Sequence, residues 1–136
     1  DPAILSMFRM TERLDEGNTI ASVFLPTHGS AEAVYSRAMS AAAEMIRDVI
    51  DGEHDIDVVT KVSGATLTKT FRRKPEDSRI PTESSLEGVY DWIRCVDAEG
   101  YPRAFLEYGG LRFEFERAVL YDGRIKADVV ITETGE

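Results

Sequence analysis

Residues 111–131 read LRFEFERAVLYDGRIKADVVI, and this stretch decides the fold class. Leu111, Phe113, Phe115, Arg117, Val119 and Tyr121 alternate with Arg112, Glu114 and Glu116. A period of two puts apolar side chains on one face of a strand and charged ones on the other. Asp122-Gly123 then interrupts the run, a dipeptide that closes two-residue hairpins. Ile125 to Ile131 follows as the partner strand. Phe113, Phe115 and Tyr121 form an aromatic stripe at strand spacing, which reads as core.

Upstream the same reading extends the sheet. Arg103 to Tyr108 is a strand ended by Gly109-Gly110, and Val89 to Val96 reads as another, followed by the turn Asp97-Ala98-Glu99-Gly100. Cys95 falls inside that run, where a small buried hydrophobe is expected. Near the start, Met7 to Leu14 and Ile20 to Leu25 read as two strands joined through Asp15-Glu16-Gly17-Asn18. Between the two strand-rich ends lies a helix over residues 31 to 51. Val34, Ala38, Ala41, Met45 and Val49 make its apolar stripe, Ser30 suits the N-cap, Glu32 favours the first turn and Gly52 suits the C-cap. Its many alanines suggest close packing on a sheet. Ile56 to Val62 carries a strand signal. The expected architecture is α+β, a mostly antiparallel sheet with one long helix packed on a face. Residues 1–71 form one unit, 72–85 a linker or loop, and 86–136 the strands that complete the sheet or start a second similar unit. A weak echo between Phe8–Leu25 and Phe115–Ile131 suits the second alternative.

Composition narrows the function classes. The chain has 136 residues, 43% of them hydrophobic, enough to bury a core. Twenty-five acidic residues against sixteen basic give a net charge of -9. An acidic total repels phosphate backbones and anionic lipid, so no nucleic-acid partner is expected. No apolar run approaches the length of a membrane span, and no signal peptide opens the chain. One cysteine excludes an intramolecular disulfide and a paired-thiol site. Two histidines leave little for His-dependent acid–base chemistry. Glu53, His54, Asp55 and Asp57 match no standard metal spacing, so no metal is expected. Gly109-Gly110 lacks the Lys-Ser/Thr of a phosphate loop. No Ser/His/Asp arrangement is recognisable, so a hydrolase or transferase has no supporting constellation and no catalytic residue is assigned. Arg72-Arg73-Lys74 is a basic run in an acidic chain, either solvated or in contact with a phosphate or an acidic partner.

One segment carries a resemblance. After the Gly17 turn, Ile20 and His28, the helix leads to Asp55-Ile56-Asp57-Val58-Val59 and then Ser63-Gly64-Ala65-Thr66-Leu67-Thr68. This order, over roughly residues 7 to 70, resembles the FMN-binding domain of the flavin subunits of sodium-pumping NADH:quinone reductase and of the related ferredoxin-dependent complex. The resemblance implies FMN held through a phosphoester at Thr66, with Ser63, Gly64 and Ala65 as the close backbone, Leu67 and Thr68 beside it, and His28 able to orient the ligand or to satisfy a turn. Leu67, Tyr90, Trp92 and Tyr108 are the candidates to cover the flavin ring. It also implies a non-catalytic redox module outside the cytoplasmic membrane. Its partner would be a redox protein or a membrane electron-transport complex. The alternative is a flavin-free interaction or assembly domain, with homo-oligomers forming through a sheet edge.

Overall fold

The structure is a computed structural model that describes residues 3–12, 17–52 and 72–134. The chain divides into two compact units, residues 1–28 with 33–70, and residues 29–32 with 71–136. The architecture is α+β, with antiparallel strand pairing in both units.

The first unit holds a two-stranded sheet. β1 (Ala3–Phe8) pairs antiparallel with β2 (Thr19–Leu25), with Ala3 opposite Leu25 and Ser6 opposite Ser22. The two serine hydroxyls meet at 3.0 Å across the pair. The first strand therefore begins and ends earlier than its sequence reading over Met7–Leu14. A bulge at Met7/Phe8 ends the regular pairing. Gly17 is required here, because a Cβ would stand 1.7 Å from the carbonyl oxygen of Arg9. α1 (Ala31–Ile50) follows, matching the expected helix to within a residue. Its expected stripe is the covered side: Met45 is buried and Val34, Ala38, Ala41 and Val49 are half-buried. Gly52 sits just past the end at φ 79°, the left-handed geometry of a helix stop.

The second unit holds the larger core. A short 3-10 turn (Pro75–Ser78) opens it, with Asp77 Oδ2 accepting from the Lys74 backbone N–H at 2.7 Å. α2 (Leu86–Arg94) stands where a strand is expected over Val89–Val96. Its helical signals are local: the Ser85 hydroxyl caps it by accepting from Gly88 N–H at 3.1 Å, and Glu87 lies in the first turn. Val89, Ile93 and Val96 recur three and four residues apart, a helical period that β-branched and aromatic content masked. Cys95, expected as a buried strand residue, is exposed at the helix C-cap.

β3 (Ala104–Tyr108), β4 (Leu111–Tyr121) and β5 (Arg124–Glu133) form an antiparallel sheet in that order. Tyr108 pairs with Leu111 across a two-residue loop in which Gly109 and Gly110 both have positive φ, 60° and 77°. That is the turn whose twist matches the strands, and it excludes most side chains. Ile80, Ile93, Val96 and Ala104 make the core, with Val89, Trp92, Phe115 and Ala118 packed on it. The outer edge of β3 is partly covered, since Ile80 N–H donates to the Phe105 carbonyl at 2.8 Å.

The expected alternation of β4 breaks in one place. Glu116 pairs with Asp128, but Val119 pairs with Lys126, so one extra residue is inserted on β4. This bulge reverses the faces beyond it. Phe115 and Ala118 face the core, while Val119 and Tyr121 are exposed. Tyr121 therefore leaves the stripe that contains Phe113 and Phe115. Arg117, inside the bulge, has φ 51°, an uncommon conformation for a residue with a side chain.

Candidate functional site

Gly88, Asp91, Trp92 and Cys95 lie zero, three, four and seven positions along α2, so they share one face. They line an open groove of about 300 Å³, and Arg73 completes it from the segment ahead of the 3-10 turn. The Arg73 guanidinium lies over the Trp92 ring, 5.3 Å from its centroid, and donates to the Asp77 carbonyl at 2.7 Å. Trp92 is only half-buried, since its inner edge touches the core and its outer side faces the groove. An arginine stacked over an indole makes a flat wall with positive charge beside it.

The groove's carboxylate is already engaged. Asp91 Oδ1 accepts from Arg94 Nε at 2.5 Å, and this bond raises the pKa of Arg94 from its ordinary value against the lowering effect of partial burial. Arg94 also donates to the Gly29 carbonyl at 3.2 Å. In the same unit Glu32 N–H donates to the Asp97 carbonyl at 3.1 Å, and Glu99 N–H donates to the Glu32 carboxylate at 3.3 Å. Residues 29–32 are thus tied to the chain just after α2 within this unit.

Most other arginines of this unit are spent on internal carboxylates. Arg79 pairs with Glu107, Arg112 with Glu107 and Glu114, Arg103 with Asp97 and Glu116, and Arg117 with Glu116 and Asp128. Asp97 is the hub: Oδ1 accepts from Arg103 at 2.7 Å and Oδ2 from the Arg117 backbone N–H at 2.8 Å. The second bond holds the bulge. On the opposite sheet face, Arg112 and Arg79 stand 3.5 Å and 5.3 Å from the Phe105 ring centroid. Phe105 is buried, and the two arginines help to cover its ring.

Of the residues singled out in the sequence, Ser63, Gly64, Ala65, Thr66, Leu67 and Thr68 lie outside the described residues, as does the expected strand over Ile56–Val62. His28 is exposed, and its carbonyl accepts from the Arg37 side chain, which also reaches the Pro26 carbonyl at 3.1 Å. The His28 backbone thus takes part in a turn fastened by α1. Tyr90 and Trp92 are on α2, whereas Tyr108 is at the far end of β3 and 80% exposed, so these three do not form one wall. Among the described residues no group of three His, Cys, Asp or Glu side chains could hold a metal ion. The groove was hidden in the sequence because Val89–Val96 reads as a strand. A strand reading separates Asp91 from Trp92 onto opposite faces and leaves Gly88 outside the element.

The second unit is thus a small α+β unit that carries an open arginine–tryptophan groove. Residues 75–132, the heart of that unit, match the family model described as the C-terminal domain of methionyl-tRNA formyltransferase. The solved structure of methionyl-tRNA formyltransferase from Clostridium thermocellum is similar over 98% of this chain, with 37% sequence identity and a TM-score of 0.86. The chain spans 57% of the length of that protein. No curated protein sequence matches it.

These matches overturn the flavin reading. The likeness extends over nearly the whole chain, whereas the Ser-Gly-Ala-Thr resemblance rested on a short string of small residues. FMN as cofactor and electron transfer as function fall with it, and the flavin-free assembly domain is not supported either. Placement outside the cytoplasmic membrane came only from the flavin resemblance and is withdrawn. No described helix is long and apolar enough to cross a membrane.

Proposed function

We propose that this chain is part of an enzyme that transfers a formyl group to an amine, with methionyl-tRNA, the substrate in its relatives' name, as the acceptor. The observation that carries the reading is the likeness over 98% of the chain at 37% identity to a methionyl-tRNA formyltransferase. The match of residues 75–132 to the C-terminal domain of the same family supports it independently. In such a transfer the amine nitrogen attacks the formyl carbon, the bond from that carbon to the donor breaks, and the nitrogen loses a proton. No redox change occurs, so no flavin is needed. The second unit's part is to bind and orient the acceptor, because its groove offers a flat wall and positive charge. The net charge of -9 argued against nucleic acid, but a negative total does not bar a local cationic contact. An enzyme acting on methionyl-tRNA works where translation takes place.

The test is formyl transfer by the full-length protein that contains this chain. It would be incubated with a formyl donor and charged methionyl-tRNA, and the amino acid released by mild base would be weighed. Formylated methionine is expected. Unmodified methionine throughout, from folded protein and with a control formyltransferase active in the same mixture, overturns the reading.

A further inference from the structure

We infer that two copies of the protein join through the outer edge of β5, in an antiparallel pairing centred on Ala127 that makes one six-stranded sheet. Such a dimer goes beyond the formyl-transfer reading and does not depend on it.

The edge is long and open. β5 has ten residues, contains no proline and is hydrogen-bonded on one side, to β4. Among the described residues no strand pairs with its other side. The bulge at Arg117 adds its extra residue to β4, so β5 keeps an unbroken alternation of faces. Val129, Val130 and Ile131 are consecutive and 44%, 53% and 56% exposed. A free edge of this kind is a template for another strand, and proteins blunt such edges with proline, a bulge or a short length. β5 has none of these. The other edge of the sheet differs, because Ile80 partly covers β3 through its bond to the Phe105 carbonyl.

What β5 does carry is charge, and the order of that charge selects the partner. Arg124 and Lys126 lie in its first half, Asp128 and Glu133 in its second. A second copy laid antiparallel sets each half against the opposite half, so the strand is complementary to itself. In a two-fold pairing within one sheet, opposed residues share a face, so one residue must lie on the axis. Centring on Lys126 or on Asp128 sets like charges directly against each other, which weakens a strand pair. Centring on Val129 or Val130 leaves Lys126 and Asp128 facing uncharged side chains. Centring on Ala127 sets Lys126 opposite the partner's Asp128 at both ends of the axis and puts a small side chain on the axis itself. It also pairs Ile125 with the partner's Val129, on the face that carries Phe115. Val130 then lies against the aliphatic stem of the partner's Arg124. Asp128 is 63% exposed even with Arg117 bound to it, and a carboxylate has lone pairs for a second cation.

The full-length protein that contains this chain would be run in sedimentation equilibrium over a range of concentrations. Lys126→Glu, Asp128→Lys and an equimolar mixture of the two variants would be run beside it. The parent should form a dimer. Each variant alone should dimerise at least about tenfold more weakly, because two opposed pairs become like-charged. The mixture should recover the dimer, since an acid again faces a base at both places. Lys126 is exposed, so the melting temperature of Lys126→Glu should not move. Recovery on mixing cannot come from a variant that has lost its fold. A parent that stays monomeric at every concentration overturns the inference. So does a dimer that ignores both substitutions, which would be joined elsewhere, or a mixture no tighter than its two components. Formyl transfer plays no part in the readout, so the two readings stand or fall separately.

Discussion

Replacing Asp97 with alanine should cost the second unit about 3 kcal/mol, because one carboxylate holds an unusual backbone in place. Asp97 is 12% exposed; it accepts the Arg117 backbone N–H at 2.8 Å and the Arg103 guanidinium at 2.7 Å. A hydrogen bond from a backbone donor to a charged acceptor contributes about 1.5–3 kcal/mol when sheltered. Arg103 is more exposed and keeps Glu116 at 3.2 Å, so losing Asp97 there costs under about 1 kcal/mol. Arg117 sits at φ 51°, a conformation that costs a residue with a Cβ roughly 1–2 kcal/mol and that the Asp97 bond offsets. Equilibrium urea unfolding reads the sum. With a slope of about 1.5 kcal/mol per molar for a small unit, the midpoint should fall by about 2 M. Asp97→Asn keeps an oxygen for the Arg117 N–H and loses only the ion pair, so its loss should be about 1 kcal/mol. Hydrogen exchange at the Arg117 amide should accelerate in Asp97→Ala and much less in Asp97→Asn. A midpoint that stays within about 0.3 M of the parent in Asp97→Ala would refute the claim that this carboxylate holds the bulge.

Two further substitutions separate the kinds of packing in the same unit. Ile93 is 1% exposed at the centre of the core, so Ile93→Ala should cost about 2–5 kcal/mol by calorimetry or urea unfolding, and a loss below 1 would show that the core is placed elsewhere. Arg112 covers the Phe105 ring with its guanidinium 3.5 Å from the centroid, so Arg112→Met should keep most of the stability while Arg112→Ala loses about 1–2 kcal/mol more. Equal losses for the two variants would mean that charge, not cover, is what Arg112 supplies there.

Much of the fold was legible because it is written in short-range periodicity. The stripe Val34, Ala38, Ala41, Met45, Val49 places α1 nearly to the residue. Alternation around Asp122-Gly123 places β4 and β5. The reading failed at α2, where Val89, Tyr90, Trp92 and Ile93 have strand-favouring side chains, while the Ser85 cap and the spacing of Val89, Ile93 and Val96 point to a helix. Packing against β4 settles that conflict, since one helical face reaches the core. The site was less legible still. Ser63-Gly64-Ala65-Thr66 drew attention as a string, but four small residues carry little information about the fold around them. Trp92, Arg73 and Gly88 form no string at all, and only a helix brings Gly88 and Trp92 to one side.

The sequence by itself determined the α+β class, the long helix, the closing hairpin and the acidic balance, because each depends on residues within a few positions of one another or on simple counts. The tertiary structure decided which arginines are spent on which carboxylates, that Phe105 is buried under two of them, that a bulge at Arg117 turns Tyr121 away from Phe115, and that Arg73 meets Trp92. These outcomes depend on contacts between residues far apart in the chain, such as Asp97 with Arg117 or Arg79 with Glu107. A charge in the sequence states what a side chain can pair with, and only the fold chooses the partner.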